Sequence, residues 1–249
     1  MTLDLYQKER HQIALACRVL AARGLADGIL GHISYRVKDD LILVRCRGVN
    51  ERGLGYTEAQ DIRLVDLDGN PASAQELDGW KVPNELPLHA AVLRKHLEVQ
   101  SVVHAHPPTV VACDLAGIEI RPIIGAYDMP GAKLAAAGVP VHPRSVLIRN
   151  QRLAEEMVES MHDKPVVLLR GHGMTSAAAS VEQAVLQAIS VNVIATLSLE
   201  IVSAGGQLQD ISQEDMAELP DLGSGFNTST AWRHELARLE GVVSIDNNI

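Results

Sequence analysis

Apolar residues recur at helical spacing from Asp4 to Arg23, at Leu5, Ile13, Ala16, Cys17, Leu20 and Ala21, and predict an opening helix that Gly24 stops. Leu41 to Gly48 (LILVRCRG) reads as a strand, and so does IRLVDLDGN from Ile62, with a tight turn at Asp68-Gly69 or Gly69-Asn70. Pro83 to His96 predicts a helix with prolines only near its start. Val99 to His106 (VQSVVHAH) is a short β-branched strand cut off by Pro107-Pro108, so its last residues reach an edge or a cleft. Short helices are expected over Pro108 to Leu115 and Arg152 to His162. KPVVLLRGHG is a buried strand followed by a glycine-flanked turn, and Val181 to Ala204 is a long helix closed by Gly205-Gly206. Pro220 to Thr230 is polar, a linker to a last amphipathic helix from Ala231 to Leu239. Helices and strands alternate without regular βαβ spacing, which predicts an α/β layered domain of unspecified strand order.

The 249 residues suffice for one well-packed domain or two small ones sharing a core. Aromatics make up only 3%, so that core must be built from Ala, Val, Leu and Ile. A formal charge of −9 argues against a nucleic-acid partner, which calls for a basic patch. The opening MTLDLYQKERHQ lacks the pattern of a secretory signal, and no uninterrupted apolar run reaches bilayer length, so no membrane partner is expected. Cys17, Cys46 and Cys113 are odd in number and widely spaced, which suits buried inert thiols and a cytoplasmic location.

Among ten histidines, His11, His89, His96, His162 and His234 lie in charged or amphipathic helices and read as solvated or hydrogen-bonded structural residues. His104 and His106 differ. Residues i and i+2 of a strand share a face, so the pair presents two imidazoles rooted about 7 Å apart, suited to one metal. His172 sits at a second such position, after the apolar VVLL run and between two glycines that let backbone approach closely. Three histidines from two strand ends give a facial triad with open positions, as a catalytic metal site requires. Glu85, at the start of its helix, is placed to stay ionised and to serve as ligand or base.

Glu85, HAHP at 104–107 and RGHG at 170–173 together resemble the class II aldolase/adducin superfamily, which includes fuculose-phosphate aldolase and ribulose-phosphate 4-epimerase. Gly31 and Ser34, the TEAQDI segment at Thr57 to Ile62 and the VDLDGN turn agree, and the similarity runs over roughly residues 8 to 206. The resemblance implies a three-layer α/β/α domain around a largely antiparallel sheet. Residues 1–210 would form the catalytic domain, and 211–249 a linker and helix packed on it or on a neighbouring subunit. It further implies a homotetramer, one divalent ion per subunit (zinc, manganese, iron or cobalt) on His104, His106 and His172, and Glu85 as ligand or acid/base. Tyr127 lies near where aldolases place a tyrosine proton donor from a neighbouring subunit.

The departures from the sugar-phosphate pattern matter for substrate. His32 stands where those members have Asn, Arg45-Cys46-Arg47-Gly48 replaces a TPSG-like loop, and Pro83-Asn84-Glu85 replaces Ser-Ser-Glu. Small phosphate-cradling donors are lost and two guanidinium groups appear, which match planar carboxylates. Read as a strand, Arg45 and Arg47 share a face. Ser34, Gly48 and Asn84 complete the expected substrate contacts. His32 either faces the same cleft or caps the turn after Gly31, and His142 stays unassigned. The pattern resembles a divergent branch containing decarboxylases of hydroxylated aromatic or pyridine dicarboxylates, and also iron oxygenases of aminocoumarin biosynthesis. The reading is a metal-dependent carbon–carbon lyase, decarboxylase or aldolase, acting on a small non-phosphorylated hydroxy, keto or hydroxy-aromatic carboxylate. The alternatives are a sugar-phosphate aldolase or epimerase, an iron-dependent oxygenase, and a non-catalytic adducin-like module.

Overall fold

A computed structural model describes residues 5–246, with side chains through 240; Asp4, within the expected first helix, and residues 247–249 lie outside that range. Among the described residues, seven strands form one sheet in the order β3-β2-β1-β4-β7-β6-β5. These are β1 (His32–Lys38), β2 (Leu41–Arg45), β3 (Ile62–Asp66), β4 (Ser101–Ala105), β5 (Val141–His142), β6 (Val166–Leu169) and β7 (Gly173–Ala178). All neighbours are antiparallel except β5 and β6. The expected largely antiparallel sheet is therefore present.

Alternation along each strand divides the core into two layers. Ile33, Leu43, Val103 and Met174 face one side, where they meet α1 (Gln7–Ala22), α3 (Pro108–Leu115) and α6 (Val181–Ser203). Ile42, Val44, Val102 and Leu169 face the other, against α2 (Leu86–Lys95) and α5 (Gln151–Met161). α4 (Met129–Ala136) joins the first layer through Ala135. Helices thus pack on both faces of the sheet, giving three layers.

Local signals explain the helix starts. Asn150 accepts from Leu153 N at 3.0 Å ahead of α5, and Ser180 accepts from Gln183 N at 3.2 Å ahead of α6. α6 is long and apolar enough by composition to cross a bilayer. Here it lies on the sheet, with Ala184, Ala188, Val191 and Ala195 buried. A helix apolar nearly all round is what two-sided packing demands.

Several boundaries differ from expectation. The helix expected from Pro83 begins at Leu86, with Glu85 as its capping residue. The strand expected over Leu41 to Gly48 ends at Arg45, and Arg47 instead makes an isolated bridge with Lys81. α7 (Gln213–Glu218) lies just upstream of the polar stretch before the last helix, and the stretch itself contains a π-helical turn at Gly225–Thr230, which runs into α8 (Ala231–Asp246). Trp232 of α8 joins the first core layer, and Glu235 pairs with Arg23.

The long excursion between β3 and α2 is tethered at its middle. Glu76, fully buried, takes Arg10 Nη2 at 2.7 Å and the Leu64 amide at 3.0 Å. Trp80 stacks under the Arg63 guanidinium at 3.6 Å. Backbone hydrogen bonds between Arg47 and Lys81, at 2.9 and 3.0 Å, then bind the segment leading to Glu85 to the segment carrying Arg47.

Candidate active site

One end of the sheet gathers the C-terminus of β4 and the N-termini of β1 and β7. In β4, Val102 and His104 point to the α2 side, so the His104 ring emerges beneath the start of α2. His106 lies just past the strand, its amide held by the Leu25 carbonyl at 2.9 Å. His172 sits in the turn between β6 and β7, where Gly171 adopts a φ of +56°. Asp114 of α3 fixes that turn, accepting the Gly171 amide at 2.7 Å and Arg170 Nε at 3.0 Å. At Gly173 a Cβ would stand 2.3 Å from the Ala105 carbonyl oxygen, so only glycine lets the His172 turn approach β4 this closely.

The three rings form a triangle. Centroids are 4.7 Å apart for His104–His106, 5.0 Å for His104–His172 and 4.7 Å for His106–His172. Glu85 closes the group. Its Oε2 lies 3.3 Å from His104 Nε2 and 3.6 Å from His172 Nε2, while Oε1 is oriented by the Ile148 amide at 2.9 Å. One ligand atom from each of the four residues lies within 4.8 Å of all the others.

The donor chemistry fits a divalent cation. His104 donates from Nδ1 to the Met174 carbonyl at 3.1 Å, which leaves its Nε2 lone pair facing His106 Nε2 at 2.8 Å. Donors about 3 Å apart match neighbours around an ion with bonds of about 2.1 Å. Burial, with His104 and His172 nearby, pushes the His106 imidazole down to about 3, so it presents a lone pair at neutral pH. Burial alone would raise the Glu85 carboxyl. The adjoining His104 and His172 side chains outweigh it and hold the group well below the usual carboxylate range.

Behind the triangle lies a second buried group. His32 pairs in register with His104, and its Nε2 lies 3.9 Å from Glu85 Oε2. Its Nδ1 is 2.7 Å from His89 Nε2, and His89 Nδ1 is 2.7 Å from Ser34 Oγ. Burial, then the neighbouring His89 and His104, pushes His32 well below the ordinary imidazole value; burial and His104 bring His89 to about 3. From sequence, His89 reads as an ordinary helix histidine. The available signal was its place four residues after Glu85, on the same face of the helix.

The other expected contacts divide. Arg47 donates to the Ile29 carbonyl at 3.2 Å and lies near enough to His106 to depress it further. Arg45 takes another direction: its buried guanidinium pairs with Glu51 at 2.5 Å. The shared face expected for the two arginines is lost because β2 ends at Arg45, and Arg47 takes its direction from Lys81. Gly48 packs against the Trp80 indole, and Asn84 is exposed on a groove between α2 and α5 that none of the three metal-site histidines lines. Ser34 is fully buried, and among the described residues its hydroxyl meets the site only through His89. Tyr127 is 76% exposed and lines a pocket with Leu186 and Phe226, so within one chain it is not brought to the triangle.

Sequence comparison gives this geometry a family. The model of the "Class II Aldolase and Adducin N-terminal domain" matches residues 11–199. The chain belongs to that family. A "3,4-dihydroxyphthalate decarboxylase" of Arthrobacter keyseri is 68% identical over 92% of this chain and 93% of its own length. One of the same name from Terrabacter sp. (strain DBF63) is 61% identical over 94% of this chain and 98% of its own. A solved aldolase II superfamily protein from Pseudomonas syringae aligns with a TM-score of 0.78 at 22% identity, covering 95% of this chain and 93% of that one. This class II aldolase family member is a carbon–carbon lyase, and the expected likeness to hydroxy-aromatic dicarboxylate decarboxylases is borne out by its relatives.

Proposed function

We propose that this chain removes one carboxylate as CO₂ from 3,4-dihydroxyphthalate or a close hydroxylated aromatic dicarboxylate, using one divalent ion on His104, His106 and His172. The observation that carries the reading is the convergence of three imidazole nitrogens and the Glu85 carboxylate, with Arg47 near enough to lower His106 further. The names of the relatives at 68% and 61% identity support the substrate class.

When bound, the cation supplies Lewis-acid stabilisation of the negative charge that develops on the substrate oxygen beside the departing carboxylate. Arg47 holds the retained carboxylate, since a guanidinium offers it paired donors. Glu85 is ionised before substrate arrives, so it accepts the proton of the ring hydroxyl adjacent to the carboxylate to be lost. It returns that proton to the ring carbon bearing that carboxylate. The C–CO₂ bond then breaks, its electron pair passes into the ring, and CO₂ departs with a C–H bond left in its place. We further propose a homotetramer in which Tyr127 of a neighbouring copy closes the open side, where Ile29 and Leu30 stand exposed.

The test is metal analysis of the purified protein followed by CO₂ detection with 3,4-dihydroxyphthalate. One equivalent of metal and metal-dependent CO₂ release are expected. Protein carrying full metal that releases no CO₂ from this or any isomeric dihydroxyphthalate overturns the reading. Oxygen consumption supported by iron alone would place it with the oxygenases instead.

A further inference from the structure

The Ser34–His89–His32 line is buried and ends at the reaction site, yet the metal triangle does not use it. With both imidazoles neutral, its hydrogen bonds can run in only two directions. In one, His32 donates from Nδ1 to His89, His89 donates to Ser34, and His32 Nε2 is left bare. In the other, Ser34 donates to His89 Nδ1, His89 donates from Nε2 to His32 Nδ1, and His32 carries its proton on Nε2.

Two separate features choose the second direction. Ser34 Oγ has His89 as its one hydrogen-bond partner among the described residues, so accepting from His89 would strand the hydroxyl proton in a fully buried place. At the other end, a bare His32 Nε2 would turn its lone pair toward Glu85 Oε2, 3.9 Å away. An N–H there is attracted instead.

Resting on the function proposed above, we infer that Ser34 and His89 are positioning residues that lock His32 as the Nε2–H tautomer, making it a hydrogen-bond donor to an anionic substrate oxygen and barring it from the metal. The line cannot be a proton wire, because it ends at a buried serine that has no further donor to draw on. A neutral imidazole is also a poor acid, since losing its second proton would leave an imidazolate. His32 therefore stabilises charge without moving a proton. Such a donor suits a phenolate or carboxylate oxygen.

Three measurements test this. Nitrogen NMR of metal-free protein labelled at histidine, with His32→Phe for assignment, is expected to find His32 protonated at Nε2 and bare at Nδ1 at neutral pH. The reverse pattern, or a doubly protonated ring, overturns the inference. In direct metal titration, His32→Phe is expected to bind as tightly as the unaltered chain, whereas a loss comparable to that of His106→Ala would make His32 a ligand and refute the lock. In turnover, His89→Phe is expected to lower kcat by roughly 10²-fold with KM and metal content little changed. His89→Gln, whose amide can still donate to His32 Nδ1, is expected to restore most of it. Unaltered kcat in His89→Phe overturns the positioning role. The first two measurements need no turnover. A chain that releases no CO₂ thus sinks the proposed activity while the tautomer is still read independently.

Discussion

Replacing Gly173 with alanine tests whether the close approach of β7 to β4 builds the metal site. The added Cβ would lie 2.3 Å from the Ala105 carbonyl oxygen and 3.2 Å from the His106 Cα. Relaxed C···O contacts begin at about 3.3 Å, so the two backbones must part by about 1 Å. They would part between the Ala105–Met174 pair and the His172 turn, which separates His104 and His106 on one side from His172 on the other. Coordination distances tolerate about 0.2 Å, so that displacement is about five times what a ligand set can absorb. Overfilling a packed position costs about 1–3 kcal/mol, and disturbing the support of metal ligands weakens affinity by about 10- to 100-fold. Gly173→Ala should therefore lower Tm by several degrees and weaken metal binding by one to two orders of magnitude, read by thermal denaturation of metal-free protein and by competition against a chelating dye. Gly225→Ala, where a Cβ meets nothing within 4 Å and φ is not positive, should change neither. A Gly173→Ala protein with the unaltered chain's metal affinity would refute the argument, because it would mean the strands open without separating the rings.

Further outcomes follow from the same geometry. His106→Ala should lose most bound metal, while Arg47→Ala should keep it and raise KM by about 10- to 100-fold, the value of a charge-assisted contact of about 1.5–3 kcal/mol; metal content and steady-state kinetics separate the two. Glu76→Gln leaves the buried Arg10 without its carboxylate, so it should destabilise the fold by about 3–5 kcal/mol in urea denaturation, and a loss under 1 kcal/mol would contradict the assigned role. Stability of the metal-free protein should depend on pH with a definite sign. His89 and His106 fall from 6.5 to about 3 on folding, so between those values the unfolded chain binds more protons. Their contribution is complete above about pH 6.5 and is lost as pH falls toward 3, the fully buried His89 adding up to about 1.4 kcal/mol per pH unit. The depressed Glu85 acts in the same direction. A Tm that stays flat between pH 6.5 and 4 would contradict this.

Covalent pattern and short-range periodicity by themselves determine much of this protein. The helical spacing of Ile13, Cys17 and Leu20, the β-branched VQSVVHAH and the glycine-bracketed His172 each act within a few residues. Helix, strand and turn at those places could therefore be read from the chain. So could the alternation that sends Val102 and His104 to one face. Other features depended on partners distant in sequence. β7 (GMTSAA) carries few β-formers and is a strand because β4 and β6 flank it, while β1 is held between β2 and β4. Arg47 left the face of Arg45 because Lys81, thirty-four positions on, took over its backbone hydrogen bonds. His89 lies on a helix whose pattern equally suits a solvated ring, and only the placement of α2 over β1 buried it between His32 and Ser34. Periodicity specifies which way a side chain leaves its own element; what it then meets is decided by the packing of elements that the chain brings together from far apart.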